Sequence, residues 1–240
     1  MNIILSTDTG CLDHRTVVSS AEVFFHQNEL DRAYAVLRRS GLILIKLDIG
    51  YGLVGRSDES IRRIYKLKGR SETNPCVVPG NMIVLRNLCP SVEPKLAEWI
   101  RAQVEWTPLS LIAGLDVENP LWLSLPDFTR HYCSRDGTVA VFLGAGDFME
   151  ALVERALADG QLLAGSSANL SGCGNCYRPE ELPRSLIEGV DLFINHGVAR
   201  YENPKRLATT MIDLRKLQIT RRGANHVRLE AQLEQLRADI

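Results

Sequence analysis

Short apolar runs alternate along this chain with stretches whose apolar residues recur every three or four positions, the pattern of strands interleaved with amphipathic helices. ELDRAYAVLRRSG places Leu30, Ala33, Tyr34 and Leu37 on one helical face and stops at Gly41, a glycine breaker. LILIK follows as a strand, and the glycines from Gly50 to Gly55 predict a turn. SDESIRRIYKLKG predicts a helix with Ser57 or Asp58 as N-cap, an apolar stripe of Ile61, Ile64, Tyr65 and Leu67, and an end at Gly69. CVV and MIVL read as short strands around Pro79-Gly80, and PKLAEWIRAQV as a helix with Pro94 in its first turn.

TVAVFL, DFMEALVERALADG and QLLAG then predict one strand, helix, strand unit between Thr138 and Gly165, of the kind that builds a covered sheet. PEELPRSLIEG, VDLFIN, TTMIDL and LQITR continue the alternation. The tail HVRLEAQLEQLRADI spaces Leu229, Leu233, Leu236 and Ile240 by four, three and four, giving one apolar seam for docking on its own domain or for a dimer. The division expected is an N-terminal extension over 1–28, one α/β domain over 29–224 and a C-terminal helix over 225–240.

Composition narrows the function classes. Lys and Arg number 28 against 29 Asp and Glu, so no global field attracts nucleic acid or an anionic membrane, and any anion chemistry must be local. No apolar run approaches the ~20 residues of a membrane helix, and MNIILSTDTG lacks the basic flank of a signal peptide. A cytoplasmic protein is expected, with its six cysteines (11, 76, 89, 133, 173 and 176) reduced.

Two clusters carry candidate chemistry. Arg62, Arg63, Lys66, Lys68 and Arg70 lie on and just past one helix, where Lys68 and Arg70 flank Gly69. Such a run is a solvated face or a phosphate site, lysine serving as a point charge and arginine as a two-pronged donor. AGSSANLSG follows a strand and gathers three Ser, one Asn and two Gly, which suits either an ordinary strand-end loop or close backbone approach to an adenosine or phosphate.

Taken in order, KGR after an amphipathic helix, Asn74-Pro75, SSANLSG, TTMIDL and ITRRGA resemble the Sua5/YrdC/YciO family of threonylcarbamoyl-adenylate synthases, from about Glu29 to about Ala224. SSANLSG is the most specific element. The resemblance implies a YrdC-like α/β fold, a single domain whose twisted mixed sheet, flanked by helices, surrounds a basic cavity. It also implies conversion of ATP, bicarbonate and an amino acid to a carbamoyl-type adenylate and pyrophosphate. Matched by motif, Lys68 and Arg70 are the implied catalytic cations. Lys68, Arg70, Ser167, Asn169, Thr209, Thr210 and Arg221 are the implied nucleotide-binding groups. Mg2+ is expected with the ATP although no carboxylate cage is visible.

The family's P-T-D-T-V-Y-G-L element corresponds to Lys46-Leu47-Asp48-Ile49-Gly50-Tyr51-Gly52-Leu53, with aliphatics in place of both threonines. Leu47, Asp48, Ile49 and Tyr51 therefore form the implied substrate pocket. Pro79 stands where the family carries a histidine, and the family's W-P-G-P-L-T element is shortened to Trp106-Thr107-Pro108-Leu109-Ser110. A polar site stripped of donors rejects the ligand it once bonded, so the second substrate need not be threonine.

Three functions follow: a synthase acting in tRNA modification with a downstream transferase or tRNA-modifying partner, a specialised biosynthetic relative using carbamoyl-adenylate chemistry, and a non-catalytic nucleotide or RNA binder. Cys173 and Cys176 form a C-x-x-C without a second pair to complete a zinc set, and the five histidines (14, 26, 131, 196 and 226) show no metal spacing. Gly144-Ala145-Gly146 lacks the third glycine of a dinucleotide fingerprint, Met149 standing there.

Overall fold

The computed structural model describes the backbone of residues 2–5 and 20–239 and the side chains of residues 27–238. Cys11, His14, the His26 side chain and Ile240 lie outside the described residues.

The chain opens with strand β1 (Asn2–Leu5) and helix α1 (Ser20–Arg38), which begins upstream of Glu29. Ala33, Tyr34 and Leu37 of α1 are buried as their spacing requires. β2 (Ile43–Leu47) and β3 (Gly50–Gly55) form an antiparallel hairpin through a two-residue turn, Asp48-Ile49, with Gly50 at φ 130°. The glycine run is thus a strand and not the expected turn. Every residue of β3 is buried, and its glycines mark close approach: a Cβ on Gly52 would lie 2.7 Å from Leu47 Cδ1.

Helix α2 (Asp58–Lys68) is closed at its start by a capping box between Ser57 and Ser60. β4 (Val78–Pro79) is short, and the MIVL segment expected as a strand is the first turn of helix α3 (Met82–Leu88). Asn81 Oδ1 accepts from the N–H groups of Ile83 and Val84 at 3.0 and 3.1 Å, a helix cap. Helix α4 (Pro94–Val104), strand β5 (Leu109–Gly114), helices α5 (Pro120–Leu123) and α6 (Asp127–Cys133) and strands β6 (Ser134–Arg135) and β7 (Thr138–Leu143) follow. Next come α7 (Asp147–Ala158), β8 (Ala164–Ser167), α8 (Arg184–Glu188), β9 (Leu192–Asn195), β10 (Thr210–Asp213), β11 (Gln218–Arg221) and α9 (His226–Asp239).

These strands build two mixed sheets. One has the order β1-β9-β2-β3-β8, the other β11-β10-β5-β7-β4 with β6 added to β7. β7 and β8 therefore belong to different sheets, which corrects the single strand, helix, strand unit expected between Thr138 and Gly165: α7 carries the chain from one sheet to the other. The sheets are stitched at one corner, where the backbones of Val77 and Gly165 exchange two hydrogen bonds of 2.9 Å. At the hairpin tip a second tie is made by the Asp48 N–H, which reaches the Ala145 carbonyl at 2.8 Å. Residues of both sheets line a cleft.

One continuous apolar core serves both sheets. Leu229, Leu233 and Leu236 of α9 are buried in it, so the described part of the terminal seam docks on its own domain. Among the described residues no helix is long and apolar enough to cross a membrane.

Candidate active site

Both sheets line the cleft, whose cavity volume is about 90 Å³. Two of its cations arrive at the end of α2. Gly69 ends that helix at φ 54°, and the Arg70 N–H returns to the Tyr65 carbonyl at 3.0 Å, a left-handed termination that glycine adopts without steric cost. The reversal turns Lys68 inward, 2% exposed, and sets Arg70 on the cleft wall.

Lys68 Nζ donates to the Ser167 carbonyl, lies 3.3 Å from Ser167 Oγ and 3.4 Å from Asn169 Oδ1. Ser167 Oγ donates to Asn169 Oδ1 at 2.5 Å. Burial, and then the nearby Arg70 charge, bring the Lys68 ammonium down to a pKa of about 7. Arg70 donates to the carbonyls of Asn74 and Pro75 at 2.9 and 2.8 Å.

From the other sheet, Arg221 donates to the Thr209 carbonyl at 3.1 and 3.0 Å and to Thr209 Oγ1 at 2.9 Å. Thr209 Oγ1 lies 2.8 Å from Ser110 Oγ. Burial and the Arg70 charge lower the Arg221 pKa. Among the described residues no carboxylate pairs with Lys68, Arg70 or Arg221, and none lines the cleft. Three cations gathered around neutral oxygens repel one another, and a polyanion placed among them removes that repulsion.

The fold brings Leu47, Ile49, Tyr51, Arg70, Ser167, Thr209 and Arg221 of the sequence-derived set onto the cleft wall, together with Pro79. It places four others differently. Lys68 stands behind Ser167, in contact with the wall but not on it. Asn169 belongs to the same network at the rim, its amide donating to the Leu170 carbonyl at 2.9 Å. Thr210 is fully buried, its hydroxyl donating to the Ala224 carbonyl at 2.8 Å and accepting from the Gly223 N–H at 3.2 Å. Asp48 faces away from the cleft, 3.6 Å from Lys46 and 3.9 Å from Arg200, beside Ala145 and Gly146.

Sequence reasoning did not single out Ser166, Phe142, Met149 or Asn175 as site residues, and read Ser110 only as the end of a shortened motif. Ser166 lay within the motif and Ser110 on an unrecognised strand; Phe142 and Met149 look like any core residue. Asn175 lies inside the C-x-x-C, where attention falls on the thiols. Its amide donates to the Ile49 carbonyl, and the Tyr51 N–H donates to the Cys176 carbonyl at 2.9 Å, so this loop holds the hairpin tip. Cys173 is exposed; Cys176 is buried, with burial raising its pKa. Among the described residues no group of three His, Cys, Asp or Glu side chains is placed to hold a metal ion.

A family model for Sua5, YciO and YrdC proteins, described as "Telomere recombination", matches residues 35–223. No curated protein sequence matches the chain. Sua5 of P. abyssi, in a crystal structure with L-threonine, superposes at a TM-score of 0.64 with 24% identity over 82% of this chain and 54% of that one. The chain thus spans about half the length of that relative. E. coli YciO superposes at 0.61 with 21% identity over 85% of this chain and 93% of its own. Full-length HypF in a phosphate- and nucleotide-bound form superposes at 0.57 with 17% identity, over 77% of this chain and 27% of that one. At these identities the likenesses establish the fold.

Proposed function

Because this chain belongs to the Sua5/YciO/YrdC family, we propose that it catalyses ATP-dependent formation of a carbamoyl-type adenylate of an amino acid. In this reaction the amine nitrogen attacks the carbon of bicarbonate and water leaves, giving a carbamate. A carbamate oxygen then attacks the α-phosphorus of ATP; the bond between that phosphorus and the bridging oxygen breaks, and pyrophosphate departs with the electron pair.

The observation that carries the reading is the set of three cations, Lys68, Arg70 and Arg221, which among the described residues have no carboxylate partner, around a cleft whose other donors are hydroxyls and amides. Charge builds on the equatorial and leaving oxygens as pyrophosphate separates, and cations fixed in a desolvated site stabilise it without reorganising. Arg70, just past the end of α2, and Arg221, on β11, both face the cleft and suit phosphate oxygens there. Ser110 and Thr209 support the nucleotide end by holding Arg221, and Ser167 and Asn169 orient Lys68.

The Sua5 structure holds L-threonine, which supports an amino acid as one substrate of this fold, and the HypF structure was solved in a phosphate- and nucleotide-bound form. Among the described residues no carboxylate lines the cleft, so the cleft wall supplies no carboxylate ligand for a magnesium ion. A magnesium ion would be held by the triphosphate's oxygens. Transfer of the adenylate's acyl group to tRNA by a partner enzyme is the proposed use of the product.

The test is pyrophosphate release from ATP and bicarbonate across an amino-acid panel, with Lys68→Ala as control. Amino-acid-dependent release that falls roughly 100-fold or more in the variant is expected. ATP binding without release for any amino acid points instead to a nucleotide-binding module.

A further inference from the structure

The cleft is polar at one end and apolar at the other, and cross-strand register orders the two. In one sheet Pro79 and Ser110 are both Cα partners of Phe142, and Ser110 leads on through Thr209 to Arg221. In the other, Gly52 is opposite Ser167, while Leu47 and Gly50 pair at the hairpin tip. The bond from Asp48 to Ala145 ties that tip to the connection between β7 and α7. Leu47 and Ile49 therefore lie on the side to which β7 contributes Phe142 and α7 contributes Met149. All four are at most 8% exposed, and Leu47 lies over Gly52, filling the space a side chain would take there.

The side chains that meet at this end are apolar, and the Tyr51, Ser110 and Asn175 groups beside them already have partners within the protein. The Tyr51 hydroxyl is held 2.7 Å from both Asn195 Oδ1 and the Gly197 carbonyl, the Ser110 hydroxyl by Thr209, and the Asn175 amide by the Ile49 carbonyl. Asn175 Oδ1 has no partner, but it is closed off from solvent and meets no ligand without movement of its neighbours. A ligand hydroxyl placed among Leu47, Ile49, Pro79, Phe142 and Met149 would lose its water against apolar side chains, which costs free energy.

We propose that the second substrate is an aliphatic α-amino acid of about valine to methionine size. Its apolar side chain rests between Leu47, Ile49, Phe142 and Met149, and its charged end faces Arg70 and Arg221. The proposal rests on the reaction given under Proposed function and names its acceptor class. An apolar pocket discriminates between isosteres with and without a hydroxyl by about 100-fold, so valine should exceed threonine by roughly 10- to 100-fold.

Two measurements separate the layers. Pyrophosphate release with valine, leucine, isoleucine, methionine, threonine and serine should show kcat/KM for the best aliphatic residue 10- to 100-fold above threonine. Leu47→Thr with Ile49→Thr should narrow or invert that ratio. Release with threonine equal to or better than every aliphatic residue overturns the acceptor class and leaves the reaction standing. If no amino acid supports release, equilibrium dialysis of labelled valine and threonine against protein saturated with a non-hydrolysable ATP analogue still decides. Tighter valine binding, lost in the double variant, upholds the apolar site while the reaction falls. Equal binding or none overturns it.

Discussion

Thr209 and Thr210 are adjacent, chemically identical and differently employed. Alternation at the start of β10 sends Thr209 toward Arg221 and Ser110 and Thr210 into the packing beneath Gly223 and Ala224. Thr209→Val removes a hydrogen bond to a charged guanidinium, and kcat/KM for pyrophosphate release should fall about 10-fold or more. Thr210→Val should leave kcat/KM unchanged and cost about 1–3 kcal/mol in urea denaturation, because it orphans a buried N–H and carbonyl.

Lys68 adds a pH signature. Its pKa is about 7 in the folded chain against 10.5 ordinarily, so between these values the unfolded chain carries a proton the folded one has released. Stability then rises with pH across that window, while below about 7 both forms are charged and the full desolvation penalty persists. Lys68→Met should be more stable than the parent at pH 7 and lack this rise in urea titrations at pH 7 and 9. Tripolyphosphate should bind the parent more weakly at pH 9 than at pH 7, and Lys68→Met weakly at both.

At the scale of elements, helices with both a cap and a periodic stripe were legible. Ser57 and Gly69 bracket α2 as read, and Pro94 opens α4. MIVL was not legible as a helix because four consecutive apolar residues carry no period, and the deciding residue was the cap before them. Asn81→Ala should therefore cost about 1 kcal/mol of stability in urea unfolding, with turnover unchanged. β3 was missed for the converse reason. Glycines signal turns when neighbours are unknown, but in GYGLVG they occur where Leu47 and Ser60 press too close for a side chain.

At the scale of the whole molecule, the two sheets and α9 share one core, so damage at the terminal helix is felt globally. Leu233 is 1% exposed, and Leu233→Ala should cost about 2–5 kcal/mol in urea denaturation through the cavity it leaves.

The family was readable from the chain alone, because SSANLSG and its companion motifs are local strings whose order survives divergence. Most helices were readable too, because a period and a cap lie within a dozen residues. The split into two sheets was not, since β7 and β8 differ in partner rather than in pattern. Nor were the burial of Thr210, the outward turn of Asp48 and the apolar wall of Phe142 and Met149. Each depends on which distant strand lies alongside, and strand pairing is a contact between segments that no local pattern encodes.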